Sequence, residues 1–299
     1  MTISGFSYVR NGFNYDCPFI EAITSILPIC DEFVVAVGDS TDGTREAIEQ
    51  IGSPKIKIID TTWDLRLRAG GKIFSQQTNL ALDAIKGDWA FHIQADEVIH
   101  EKDLYKIKHS IEKENENSRI DGFILPFIHF WGDYYHYRNS RRVHKHEVRI
   151  FKNTGTVRSY RDSQGFRKYT STEAYNNNSD KGKKLLVNKI DTPIFHYNNV
   201  RTPDSILKKH SEMGFFYGHE KKQTEETRKA QYDFNIVDRV AEFKDSHPNV
   251  MQKRIAAHPN DFVYDNSKAT WVKKDKFIQP IEDLLGFKIG EYKNYIELK

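Results

Sequence analysis

Over its first hundred residues the chain alternates short apolar runs with amphipathic helical segments, and this alternation restricts the fold more than any other feature. "TISGFSYV" is rich in β-branched and aromatic residues and stops at the turn signal "RNG". "PFIEAITSIL" then sets Phe19, Ile20, Ile23, Ile26 and Leu27 on one helical face, with Pro18 at a first turn. "EFVVAVG" reads as a strand covered on both faces. "DSTDGTREAIEQIG" supplies a turn and a helix, capped by Asp42 or Ser40 and stopped by Gly52. "KIKIID" is a third strand. "FSQQTNLALDAIKG" is a helix with Phe74, Ala81, Leu82 and Ile85 along one stripe, and "DWAFHIQ" is a fourth strand. This order predicts an α/β fold with a mostly parallel, doubly wound sheet flanked by helices, whose ligands bind beyond the carboxyl ends of the strands.

Three polar tips converge on that edge: Arg10-Asn11 after the first strand, Asp39 to Asp42 after the second, and Asp96-Glu97 after the fourth. With 42 acids in 299 residues, an acid pair at any one spacing is expected by chance, so the convergence carries the signal and the pair does not. A net charge of +3 is too small for a dedicated nucleic-acid binder. Cys17 and Cys30 make neither a disulfide framework nor a zinc site and fit a reduced, cytoplasmic protein. No run of 18 apolar residues and no leader-like start is seen, so the expectation is a soluble chain, open to peripheral contact at the inner face of the membrane.

The pieces "YVRNG", "EAITSILPICDEFVVAVGDSTDGT", "FSQQTNLALDAIKGDWAFHIQADE" and "VRIFKN", in this order over about residues 3 to 152, resemble a GT-A glycosyltransferase of the family 2 type. The resemblance implies a GT-A (Rossmann-like) sheet, a nucleotide-sugar donor, a divalent metal (Mn²⁺ or Mg²⁺) and inverting transfer to an acceptor hydroxyl. It implies roles too. Tyr8, Arg10 and Asn11 line the nucleotide pocket; Asp39 and Asp42 face base or ribose, or hold the turn. Gln76 and Asn79 face the donor, and Asp96 bridges metal and diphosphate. Two positions depart from the family pattern. Gly38 stands where an acid normally meets base or ribose, and Gln94 replaces the first carboxylate of the metal motif. One carboxylate suffices for the metal when phosphates and water complete its shell, with Gln94 offering an amide oxygen or orienting the sugar. Asp42 equally suits a helix cap, Asn79 a loop anchor and Glu97 a cap of the next segment.

Further on, "DGFILPFIHFWGDYYHYRNSRRVHKHEVRIFKN" mixes apolar strand pieces with aromatics and bases. Trp131, Tyr134, Tyr135 and Tyr137 suit sugar stacking, and Arg138, Arg141, Arg142 and Lys145 suit phosphate on a lipid-linked or phosphorylated acceptor; a core strand with a solvated basic loop is the plain alternative. Residues 153–190 read as a mobile loop over the site, and "TPIFHYNNV" as a last core strand carrying His196, a further metal ligand by the same resemblance or an ordinary histidine. The base must come from beyond the fourth strand: Glu147 is preferred because a strand holds it, Asp133 is second, and Arg149 is counted on the substrate side. Residues 1–200 are expected to form the catalytic domain and 201–299 a helical extension, with "SILKKHSEMGFFYGHEKK" and "YDFNIVDRVAEFKD" as amphipathic helices and "FIQPIEDLLGF" as a short segment.

The expected activity is metal-assisted sugar transfer from a nucleotide diphosphate to a glycan or lipid-linked acceptor, in polysaccharide, lipopolysaccharide or other glycoconjugate assembly. A sugar-phosphate nucleotidyltransferase would want a Gly-rich basic loop after the first strand, which "SYVRNGFNYD" lacks. A non-catalytic nucleotide or glycan binder is the alternative from another class, and the missing first carboxylate is its best support.

Overall fold

The computed structural model describes residues 1–217, 233–258 and 262–298. Four strands expected from the alternation are present: β1 (Ile3–Val9), β2 (Glu32–Val37), β3 (Ile56–Asp60) and β4 (Trp89–His92). Between and after them run α1 (Phe19–Ile26), α2 (Thr44–Glu49), α3 (Lys72–Ala84), a short β5 (Glu97–Ile99) and α4 (Leu104–Glu114). The order β3-β2-β1-β4 is parallel throughout, with Val9 opposite Val37 and Val37 opposite Asp60. This register ends the strands at one level, so their following turns share one edge.

Side-chain alternation along β2 divides the core into two layers. Phe33, Val35 and Val37 face Ile23 and Ile26 of α1, in a layer completed by Ile107 and Ile111 of α4. Val34 and Ala36 face the opposite side, with Phe6 and with Ala81 and Leu82 of α3. Each fully buried aliphatic or aromatic side chain contributes roughly 1.5–3 kcal/mol relative to exposure.

Antiparallel strands extend the sheet beyond β4. They are β6 (Gly122–Trp131), β7 (His136–Arg138), β8 (His146–Lys152), β9 (Val157–Ser159) and β10 (Phe166–Lys168), followed by α5 (Thr172–Asn176) and β11 (Lys183–Lys189). β8 lies between β4 and β6, and β11 joins β6 in parallel. Residues 153–190, read as a mobile loop, thus hold three strands and a helix; Val157, Phe166, Leu185 and Val187 bury in the core despite the polar composition around them.

β12 (Ile194–Asn199) runs parallel to β6 and antiparallel to β5. Beyond it come α6 (Pro203–Phe216), β13 (Val240–Glu242), α7 (Gln252–Ala257), α8 (Lys273–Leu285) and β14 (Tyr295–Glu297). The last hundred residues are therefore not helical throughout. Of "SILKKHSEMGFFYGHEKK", the part up to Phe216 lies in α6, and its last five residues, 218–222, lie outside the described residues. Within "YDFNIVDRVAEFKD", Val240–Glu242 forms β13 on β7 instead of a helix, and Asp238 just before it is held by Arg138 Nε and Nη2 at 2.7 Å each. β14 adds a strand to β11. Among the described residues no helix is long and apolar enough to cross a membrane.

Candidate active site

A cavity of about 310 Å³ opens at the carboxyl edge of the parallel strands. Tyr8, Val9 and Arg10 enter it from the end of β1, and Gln94, Ala95 and Asp96 from the turn after β4. Trp63 and Phe74 form one wall, and α6 closes it with Lys209, Glu212, Met213 and Phe216.

One end is aromatic. Trp63 packs 5.7 Å from Phe74 and 5.1 Å from Phe216, Tyr8 lies 6.3 Å from Trp63, and the Arg10 guanidinium stands 5.3 Å from the indole. Arg10 is also paired with Asp39 at 3.0 Å. Such a surface suits a flat heterocycle, with Arg10 placed for stacking or phosphate. Burial, reinforced by Asp96, pushes the Tyr8 hydroxyl far above its ordinary pKa, so it acts as a neutral donor. Gly38 has a steric explanation: a Cβ there would lie 2.5 Å from Trp63 Nε1 and 3.0 Å from Arg10 Cβ. The indole takes the room that an acid would need.

At the other end sits Asp96. β12 brings its partners, since His196 pairs with Glu97 in register and the Tyr197 amide donates to the Asp96 carbonyl at 2.8 Å. Asp96 Oδ1 faces His196 Nε2 at 3.6 Å; Oδ2 accepts from Arg201 Nη2 at 3.1 Å and Lys209 Nζ at 3.4 Å. Burial alone would raise the carboxyl, but Lys209, His196 and Arg201 together hold it well below the usual carboxylate range. Arg201 is fixed by the Asn198 carbonyl at 2.9 Å and Cys17 Sγ at 3.2 Å. Asp96 and His196 meet, as metal ligands must, yet both oxygens of the one carboxylate already face positive or donor groups. Among the described residues no three His, Cys, Asp or Glu side chains could hold an ion. Mg²⁺ demands near-octahedral oxygen coordination. The donor set here does not fit it.

Glu97 acts as a strut. Its carboxylate takes Arg149 Nε at 2.9 Å and Nη2 at 2.7 Å, and Oε2 also accepts the Gln94 amide at 3.0 Å. The buried pair thus fixes the turn that aims Gln94 and Asp96 into the cavity, and Arg149 has no place at the cavity wall.

Asp162, on the β9–β10 loop, brings a further carboxylate to the cavity. Its Oδ2 accepts from Tyr217 at 2.6 Å, whereas Oδ1 is buried without a hydrogen-bond partner among the described residues. The flanking Arg161 and Ser163 both hold left-handed backbone, at φ 55° and 70°, which costs non-glycine residues about 1–3 kcal/mol each. Ser163 anchors the loop to Thr78 of α3 at 3.0 Å. Gly71 is required beneath it, since a Cβ there would lie 2.7 Å from that of Asp162.

The remaining expected residues lie elsewhere. Asn11 accepts the Thr41 amide at 3.0 Å, and Asp42 takes the amides of Thr44 and Asn14, so both hold turns. Gln76 and Asn79 line a separate cleft beside α5, where Asn79 bonds Tyr175 and the Ser159 amide. Asp133 is 2% exposed and spends Oδ1 on the Tyr135 amide and His136, as a turn residue does. Glu147 lines a third cavity with Gln164 and Asn294. Trp131 donates to the Phe234 carbonyl and is buried, and Tyr134 is 1% exposed, so neither offers a face to a sugar in the main cavity. Arg138, Arg141 and Arg142 pair with Asp238, Asp275 and Glu282 and so dock the C-terminal segment. Four residues escaped sequence reading: Trp63, Asp162, Arg201 and Lys209. Only Arg201 left a trace, as a basic residue directly after a core strand.

In structural comparison the chain is similar over 76% of its length to residues 1–349 of S. aureus TarS, solved alone and with UDP-GlcNAc. Identity there is 12% and 13%, with TM-scores of 0.40 and 0.39 over 68% and 69% of those chains. It is also similar to glucosyl-3-phosphoglycerate synthase from Mycobacterium tuberculosis, crystallised with Mn²⁺, UDP-glucose and phosphoglyceric acid. That likeness has 17% identity and a TM-score of 0.29, over 43% of each chain. No curated protein matches the sequence. The family model "Glycosyl transferase family 2" matches residues 13–172, more than half of the chain, which spans β2 to β4 and the Asp96 turn. The chain belongs to glycosyl transferase family 2.

Proposed function

We propose that this protein moves a sugar from a nucleotide-diphosphate donor to an acceptor hydroxyl with inversion, in cytoplasmic assembly of a polysaccharide, lipopolysaccharide or other glycoconjugate. The observation that carries the reading is the cavity itself: an aromatic, Arg10-bearing end, a cationic centre around Asp96, and the Asp162 carboxylate, all at the carboxyl edge of a family 2 sheet. The base or ribose rests against Tyr8, Trp63 and Arg10, and the diphosphate lies toward Lys209. As the acceptor oxygen bonds to the anomeric carbon, the bond from that carbon to the diphosphate oxygen breaks and its electron pair leaves with the diphosphate. Asp162, in place of Glu147 or Asp133, takes the acceptor proton: it lines the cavity, Tyr217 holds its Oδ2, and its buried Oδ1 has no hydrogen-bond partner among the described residues. A glycan or lipid-linked hydroxyl would enter from that side.

The test is a panel of nucleotide sugars incubated with the full chain, reading release of nucleoside diphosphate and, by NMR, the anomeric configuration of the product. One donor should be cleaved, faster with acceptor, giving inverted product. A panel in which no donor is cleaved, or a product with retained configuration, refutes the proposal.

A further inference from the structure

We infer that Lys209, supported by Arg201, supplies the positive charge that meets the donor diphosphate, so that this protein binds its donor without a divalent cation. The inference rests on the transferase reading above and departs from the metal that family membership implies.

Three observations carry it. First, the metal motif is reduced to one carboxylate, because Gln94 stands in place of the first acid. Second, that carboxylate is already matched: Arg201 and Lys209 reach Asp96 Oδ2 at 3.1 and 3.4 Å, and His196 faces Oδ1 at 3.6 Å. A divalent ion would have to displace them and then sit beside two fixed positive charges. Third, Lys209 is built as a donor and not as a solvated surface lysine. Its side chain is 20% exposed, lines the cavity, and is oriented by Asp96 and Asn198 Oδ1. An ammonium has three N–H donors, and two are used here, which leaves one for a phosphate oxygen.

The side chains divide the work by position. Arg201 has no exposed side-chain surface and does not line the cavity, so it acts through Asp96, as a positioning residue. Lys209 is the group that touches the donor. Glu212, one turn along α6, also faces the cavity, but its carboxylate is engaged by the Tyr15 hydroxyl, on the Arg10 side. A compact ammonium is a point charge well suited to phosphate, and, prefixed in a cavity, it needs no reorganisation as charge develops on the leaving group.

The experiment is calorimetric titration of the full chain with UDP, GDP and CDP, each in EDTA and in Mn²⁺. It is repeated with Lys209→Met and Lys209→Arg, and with the matching nucleoside as a phosphate-free control. Wild-type Kd for the preferred diphosphate should agree within about twofold between EDTA and Mn²⁺. Lys209→Met should weaken it roughly 10- to 100-fold, the loss of one charge-assisted hydrogen bond, with nucleoside binding unchanged and no rescue by Mn²⁺. Lys209→Arg should recover part of the loss. Binding that appears only with Mn²⁺, or an unchanged Kd in Lys209→Met, overturns the inference and leaves the transferase reading standing. Absence of binding by every diphosphate in both buffers overturns both. The wild-type comparison decides the matter even if the methionine variant does not fold.

Discussion

Replacing Arg149 by Met should unsettle the molecule more than any substitution at the cavity wall. The Arg149 side chain is 3% exposed and that of Glu97 1%, so water cannot take over when one partner is removed. Methionine fills much of the volume and keeps the packing against Phe127, over which the guanidinium stands at 5.3 Å. What remains is an isolated buried carboxylate, and breaking such a pair costs about 3–5 kcal/mol. For a domain of this size that corresponds to a fall in Tm of roughly 10 °C. Glu97 also holds the Gln94 amide at 3.0 Å, so the Asp96 turn should loosen and nucleoside diphosphate binding weaken with stability. Urea unfolding of Arg149→Met, Glu97→Gln and the double variant gives the coupling. The double variant should be clearly more stable than Arg149→Met, because its buried group is neutral. If Arg149→Met lies within about 1 kcal/mol of wild type, or the double variant loses the sum of the single losses, the strut argument is wrong.

Other expectations follow from the same geometry. Asp162→Asn should lower kcat by about 10²-fold or more with nucleotide binding kept, while Glu147→Gln turns over normally; steady-state kinetics with the identified donor decides, and the opposite pattern returns the base to Glu147. Gly38→Asp, which restores the family acid, should weaken nucleotide binding and shift tryptophan fluorescence, because its Cβ starts 2.5 Å from Trp63 Nε1; overpacking of this kind costs about 1–3 kcal/mol. Burial, opposed by Arg149 and reinforced by Glu97 and Glu291, pushes the Glu147 carboxyl from 4.5 up to about 7. The unfolded chain therefore ionises first as pH rises, and the folded state carries a penalty that grows from the unfolded value to the folded one and is constant above it. Glu147→Gln should accordingly stabilise by on the order of 3 kcal/mol above pH 8 and by almost nothing near the unfolded pKa; a gain that does not shrink with falling pH contradicts the assignment.

The sequence by itself determined the frame of this protein. The continuous apolar run of β2, the apolar stripe of α3 and the polar turns after β1, β2 and β4 are local patterns, and local patterns survive in one dimension. They placed Arg10 and Asp96 at one edge, and the family resemblance added Tyr8 and Gln94; the structure finds these four around one cavity. It could not show what surrounds them. Arg201 and Lys209 stand more than a hundred residues from Asp96 in the chain, and only the pairing of β12 with β5 and β6 delivers them there. The arginines of residues 138–142 read as a basic loop for phosphate until Asp238, Asp275 and Glu282 arrive from the far end of the chain. Glu147 and Asp133 carried the right chemistry for a base, but β8 aims one into another cavity and a turn consumes the other. A residue's type fixes what its side chain can do. Which groups share its few ångströms, and so what charge it meets and which lone pairs stay free, is set by contacts between segments distant in sequence, and those exist only once the chain has folded.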